Sequence, residues 1–177
     1  MDLSDLLSNV WHWVYRYAMS RGGEQVVPVQ AGALPWRVKR SKKKVEVLLV
    51  TGRRSGRWMI PKGWPMDGKS LADSAAQEAF EEAGIKGKIQ QTPIGTFRHV
   101  KQHLLLGRLE VDILVHALAV ERELGDWPEK GERNRKWFVL EDAAARVDSA
   151  ELKLLIVEFG RTLKEQKAAA KQRKAEA

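Results

Sequence analysis

Residues 63–85 read GWPMDGKSLADSAAQEAFEEAGI, and the helix inside this stretch organises the rest of the chain. Ser70 followed by Asp73 has the form of a capping box, which opens a helix by satisfying its free amide donors. Gly84 stands where a left-handed C-cap falls, and Ile85 can supply the apolar contact after it. The spacing therefore predicts a helix over 70–83. Ala72, Ala75, Ala76, Ala79, Phe80 and Ala83 cover one broad face. Side chains this small let a helix lie close on a sheet.

Beside that face stand Glu78, Glu81 and Glu82. At 100° per residue they fall within about 100° of arc, in a single turn. Like charges at this spacing repel. They also occupy the last turn, where the macrodipole disfavours an exposed negative charge by roughly 0.3–1 kcal/mol. The first turn, where acids help, holds only Asp73. Local electrostatics thus oppose the helix unless something positive sits at its end, and rule-breaking of this kind tends to mark a functional site. A divalent cation would resolve the conflict. An all-oxygen set without Cys or His favours Mg2+ or Mn2+ over zinc. For a bare E-x-x-E-E the plain alternative is a solvated acidic face, so the flanking residues must decide.

Elsewhere, alternation and β-branched content predict strands over 30–38, 45–51, 58–60, 94–99, 111–121 and 136–140. A second helix is predicted over 149–164 from the stripe Leu152, Leu155, Ile156, Phe159 and Leu163. Strands mixed with a few helices imply an α/β layer fold. Leu3, Leu6, Leu7, Val10, Trp11, Val14 and Tyr17 recur at helical spacing, which predicts an amphipathic helix over 3–19. That helix would pack on its own domain or on a second subunit as a homodimer. Three segments result: an N-terminal helix and linker over 1–27, a domain over 28–160, and a basic tail over 161–177. The tail carries six basic residues against two acidic ones and reads as a fraying helix or disordered chain.

The chain has 177 residues, a net charge of +8 and no cysteine. One domain of this size can bury a real core. The absence of cysteine excludes a disulfide scaffold and any thiolate chemistry, and it fits a reducing cytoplasm. Residues 1–27 lack the basic start and small-residue cleavage site of a secretory signal. No apolar run approaches the ~20 residues of a membrane-spanning helix, so no stable membrane association is expected. The positive balance points to an anionic partner, either a phosphorylated small molecule or RNA.

With its flank, 63–85 resembles the signature of the Nudix hydrolases, G-x5-E-x7-R-E-U-x-E-E-x-G-U, where U is aliphatic. Gly63, Glu78, Glu81, Glu82, Gly84 and Ile85 match in order, and Ala79 fills an aliphatic place. Two positions depart together. Lys69 replaces the first Glu and Gln77 replaces the Arg, so the acid–base pair these often make is absent. The entry RWMIPKG (57–63), EAGIKG (82–87), PIGTF (93–97), Asp126-Trp127 and the run from Arg133 to Phe138 are similar to the branch acting on diphosphoinositol and diadenosine polyphosphates. The likeness covers roughly 29–159.

The resemblance implies a Nudix-like α/β/α sandwich with a mixed central sheet. It also implies hydrolysis of a diphosphate linked to another moiety, with Mg2+ or Mn2+ as cofactor. By carry-over, Glu78 and Glu82 ligate metal, the Gly63 carbonyl is a further ligand, and Glu81 completes the shell or accepts the proton from water. Glu81 and Glu78 are then the catalytic candidates. Lys62, Arg37, Lys39, Arg40, Arg53, Arg54, Arg133 and Arg98 or His99 are candidates to clamp the polyphosphate, and Trp64 to stack on a nucleobase. His103 and His116 lack zinc spacing and read as structural. Two alternatives stand beside this reading: an RNA 5′-pyrophosphohydrolase, and a non-catalytic nucleotide- or RNA-binding module on the same fold.

Overall fold

A computed structural model describes residues 27–39, 44–103 and 107–175. The helix expected over 3–19, with the homodimer built on it, and Arg40 lie outside the described residues. The elements run β1 (Val29–Lys39), β2 (Lys44–Thr51), β3 (Trp58–Met59), β4 (Lys62–Gly63), α1 (Leu71–Ala83), β5 (Ile85–Ile89), β6 (Gly95–His103), β7 (Gly107–Glu123), β8 (Arg135–Val139), α2 (Leu140–Arg146) and α3 (Ala150–Ala175).

β7 is the spine. One edge pairs in parallel with β1, from Val29↔Asp112 to Trp36↔Ala119. Its other edge carries β6 along its first half and β5 along its second, both antiparallel. On the far edge of β1, β2 takes the end of the strand and β4 takes Ala31 and Gly32. β2 in turn pairs with β3 and β8. One parallel ladder among antiparallel ones makes the sheet mixed, as expected.

Alternation along the strands sends successive side chains to opposite faces. On one face, Ala75, Ala79 and Ala83 of α1 bury against Ala31, Ala33, Leu48, Val50, Ile85 and Leu118. On the other, Leu34, Val47, Leu49, Ile113, Val115 and Phe138 meet Leu152, Ile156 and Phe159 of α3. Helices on both faces complete the α/β/α sandwich.

The expected caps of α1 form. Ser70 Oγ accepts from the Asp73 amide, and Gly84 adopts a left-handed φ of 63° with its amide donating to the Ala79 and Phe80 carbonyls.

Three elements were not anticipated: β4, β5 and α2. Two residues of β4 carry no periodicity, and α2 is seven residues long. The expected strand over 136–140 stops at Val139, because Leu140 begins α2. The helix expected to stop at 164 continues to Ala175, which corrects the reading of the tail as frayed or disordered. Ala, Lys, Glu and Gln are strong helix formers, and Arg161 pairs with Glu158 and Glu165 along the surface.

Candidate active site

β4 brings the loop before α1 against the helix. Its pairing with β1 places Lys62 opposite Gly32 and Gly63 opposite Ala31, while α1 lies over the same stretch of β1. Gly63 and the Glu78 carboxyl are consequently in such close apposition that a Cβ on Gly63 would fall inside that carboxyl group. One turn further along, Glu82 is 4% exposed. Its Oε2 accepts from the Lys62 amide at 3.3 Å, and its Oε1 accepts from Arg133 Nη2.

Arg133 enters from the loop between β7 and β8. Its Nε donates to Glu129 Oε2 at 2.6 Å and its Nη1 to the Thr51 carbonyl at 3.1 Å. Glu129 also pairs with Arg53, which reaches Glu132 at 2.7 Å. The loop is docked on α1 through its backbone as well, since the Glu129 amide donates to the Glu81 carbonyl at 3.0 Å. Arg135 donates to the Ala83 and Leu124 carbonyls and stacks on Trp127 at 3.8 Å. The positive charge that the end of α1 calls for thus arrives as arginines from a distant loop.

Burial dominates the electrostatics. It pushes the Glu78 carboxyl up to about 8, reinforced by Glu82 and Glu81 and opposed by Lys62. It pushes Glu82 up to about 7, against the pull of Arg133 and Lys62. Burial also drives the Lys62 ammonium below its ordinary value, although Glu82 favours its charged form.

The sign for stability follows. Both carboxyls bind protons more tightly folded than unfolded, so in chelator the unfolded chain ionises first and stability falls as pH rises from about 4.5 toward 8. Thermal melts across this range should show the fall, and Glu78→Gln should flatten it. A wild-type profile no steeper than that of Glu78→Gln would contradict the assignment.

The remaining expected residues divide. Glu81 turns aside: its Oε1 accepts from Gln77 Nε2 at 2.7 Å, and Gln77 Oε1 accepts from Lys69 Nζ at 3.1 Å. The two departures from the signature therefore meet each other, and their contact bears on Glu81. Arg37 and Lys39 pair with Glu46, and Arg37 also engages Glu123 and the Trp137 ring. Arg98 is held by Asp112 and Glu110, and its amide by Glu151 of α3. None of these pairs includes Glu78, Glu81 or Glu82. Arg54 is exposed in the turn after β2. Trp64 is half-buried against the α3-side core. His116 is buried, with Nδ1 3.0 Å from the Gln90 carbonyl.

Glu129 is the residue that sequence reasoning missed. It lies in an irregular loop without periodicity, and only its docking on α1 reveals it.

Among the described residues, no three His, Cys, Asp or Glu side chains are grouped tightly enough to hold a metal ion as they stand. The donors nevertheless suit a hard cation. Glu78 and Glu82 are desolvated oxygen donors one turn apart, and the space against Gly63 is one that only a glycine leaves open. A cavity of about 530 Å³ lies elsewhere, lined by Lys69, Asp73, Gln77, Phe80, Lys86 and Leu118 among others, without Glu78, Glu82 or Arg133. No helix among the described residues is long and apolar enough to cross a membrane.

Comparison with known proteins gives the family. Nudix hydrolase 12, mitochondrial, of Arabidopsis thaliana is 29% identical over 130 residues, which are 70% of this chain and 63% of that protein. This chain therefore spans less than two thirds of that relative. Diphosphoinositol polyphosphate phosphohydrolase 3-beta of Bos taurus is 35% identical over 107 residues, 59% of this chain and 61% of that protein. Among solved structures, a C. elegans Ap4A hydrolase binary complex superposes with a TM-score of 0.60 at 25% identity, covering 78% of this chain and 99% of the other. The NUDIX domain family matches residues 29–156. That span begins with β1, takes in the whole sheet and the Glu-rich helix, and ends within α3, so the chain belongs to the NUDIX domain family.

Proposed function

We propose that the protein is a metal-dependent pyrophosphohydrolase cleaving a phosphoanhydride bond in a diphosphate linked to another moiety. The substrate is a dinucleoside polyphosphate or a diphosphoinositol polyphosphate. One observation carries the reading: Glu78 and Glu82 are desolvated side by side against Gly63, with Lys62, Arg133 and Arg53 around them. A structural helix has no use for acids crowded at its negative end. The named activities of the Bos taurus and C. elegans relatives support the substrate class.

In this reading Glu78, Glu82 and the Gly63 carbonyl hold Mg2+ or Mn2+. The bound cation supplies charge neutralisation at the phosphates and lowers the pKa of water. Lys62, Arg53 and Arg133 bind the phosphate oxygens and orient the chain for in-line attack. Glu81 accepts the proton from the attacking water at Oε2, with its other oxygen fixed by Gln77.

The test is product release from a panel of dinucleoside polyphosphates, inositol pyrophosphates, nucleotide sugars and 5′-triphosphorylated RNA. Turnover of the first two classes is expected with Mg2+ or Mn2+ and should be lost in chelator. Preference for the RNA would reassign the substrate. A protein inert on the whole panel would be a binding module.

A further inference from the structure

Both oxygens of Glu82 already accept a hydrogen bond. Oε2 takes the Lys62 amide, whose backbone is pinned in the β4–β1 ladder. Oε1 takes Arg133 Nη2. Each oxygen keeps a second lone pair, but a cation bound at Oε1 would lie against a guanidinium of like charge, whereas the Lys62 amide at Oε2 is neutral. The arginine is well held: its side chain is 11% exposed, between carboxylates that are 5% and 12% exposed. A buried pair of this kind is costly to break by removing one partner. Its other two anchors, Nε on Glu129 and Nη1 on the Thr51 carbonyl, do not involve Glu82. Loss of the Glu82 contact alone would therefore leave Arg133 tethered at the cleft by these two bonds.

We infer that Arg133 is the resident counter-cation of Glu82, displaced when a divalent cation binds, and that Glu129 is the positioning residue that then keeps the released Nη2 beside the cleft for a phosphate oxygen. The inference rests on the metal reading above. It gives Arg133 two successive partners. Without metal it neutralises a buried carboxylate. With metal its Nη2 loses the Glu82 acceptor and faces a second positive charge, a conflict that a polyphosphate relieves by placing its oxygens between the two. Metal and substrate should then each tighten the other's binding, by the same factor.

Calorimetric titration of Mn2+ into the substrate-free full chain tests this without reference to activity. Arg133→Gln removes the competitor and should raise Mn2+ affinity about five- to tenfold. Arg53→Gln removes a neighbouring charge that does not touch Glu82, and should raise it less than about twofold. In a Glu82→Gln background, Arg133→Gln should no longer tighten Mn2+ binding. Should Arg133→Gln fail to fold, Arg133→Lys serves, because it keeps the charge but loses the fork that grips two carboxylates. It should still bind Mn2+ more tightly than wild type.

Unchanged or weaker Mn2+ binding in whichever Arg133 variant folds would overturn the displacement while leaving the metal reading intact. An equal gain in Arg53→Gln would overturn it too, by reducing the effect to general electrostatics. A wild-type chain that takes up no Mn2+ would bring down both readings.

Discussion

Glu82→Gln should lower turnover of a dinucleoside polyphosphate by about a thousandfold or more at saturating Mg2+, because an amide cannot serve as the anionic ligand that holds the phosphate-bound cation. The substitution is nearly isosteric, so the packing around the buried side chain is spared. The Lys62 amide keeps an acceptor, and Arg133 keeps Glu129 and the Thr51 carbonyl. The chain should therefore still fold, though Arg133 loses a buried anionic partner, and the fall in thermal stability should be smallest in chelator at pH 8. There the native carboxylate is itself strained by burial, which has pushed it up to about 7. Steady-state kinetics with a Mg2+ titration separate the outcomes. Loss of rate that added metal does not restore fits a ligand, whereas wild-type turnover would remove Glu82 from the mechanism.

Gly63→Ala is the second large effect, and its cause is volume. Among the described residues the glycines with positive φ are Gly56, Gly68 and Gly84; Gly63 is not one of them, so alanine meets no conformational barrier there. Its methyl carbon, however, would occupy the position of the Glu78 carboxyl. Either Glu78 swings out or β4 leaves the edge of β1. Displacement of a reacting group by about 1 Å is enough to cost about a hundredfold in rate. We expect a loss of that order, weakened Mn2+ binding, and a folded protein by circular dichroism. Retention of both rate and Mn2+ affinity would show that the Gly63–Glu78 apposition is dispensable.

How much of this was legible beforehand depended on the range of the forces involved. α1 was readable to within a residue because its signals are local: a capping serine, a left-handed glycine and a stripe of alanines. The conflict of three acids at a helix end was equally local, and it pointed to the acidic end of α1 before any fold was known. What answers that conflict was not legible. Arg133 came from a family resemblance, and Glu129 came from nothing, since an irregular loop carries no period. Arg37, Lys39 and Arg98 show another limit. A basic residue at the end of a strand announces its charge but not its partner, and here Glu46, Glu123 and Asp112 had prior claim. Lys69 and Gln77 looked like a missing ion pair in the sequence. Folded, they touch, and the amide passes a hydrogen bond on to Glu81.

The carbonyl that closes α1 is satisfied by Arg135, fifty-two positions downstream. During synthesis the helix can form from its own caps and alanines, but the Ala83 carbonyl gains its arginine only when β8 emerges. Contacts of such wide sequence separation form late, because chain closure comes before any reward. A nascent chain halted before residue 133 would carry the acidic side chains without the arginines that tame them. Maturation of the cleft is thereby tied to completion of the sheet, and ribosome-stalled intermediates of increasing length should gain resistance to proteolysis at the end of α1 in one step, once β8 is free of the exit tunnel.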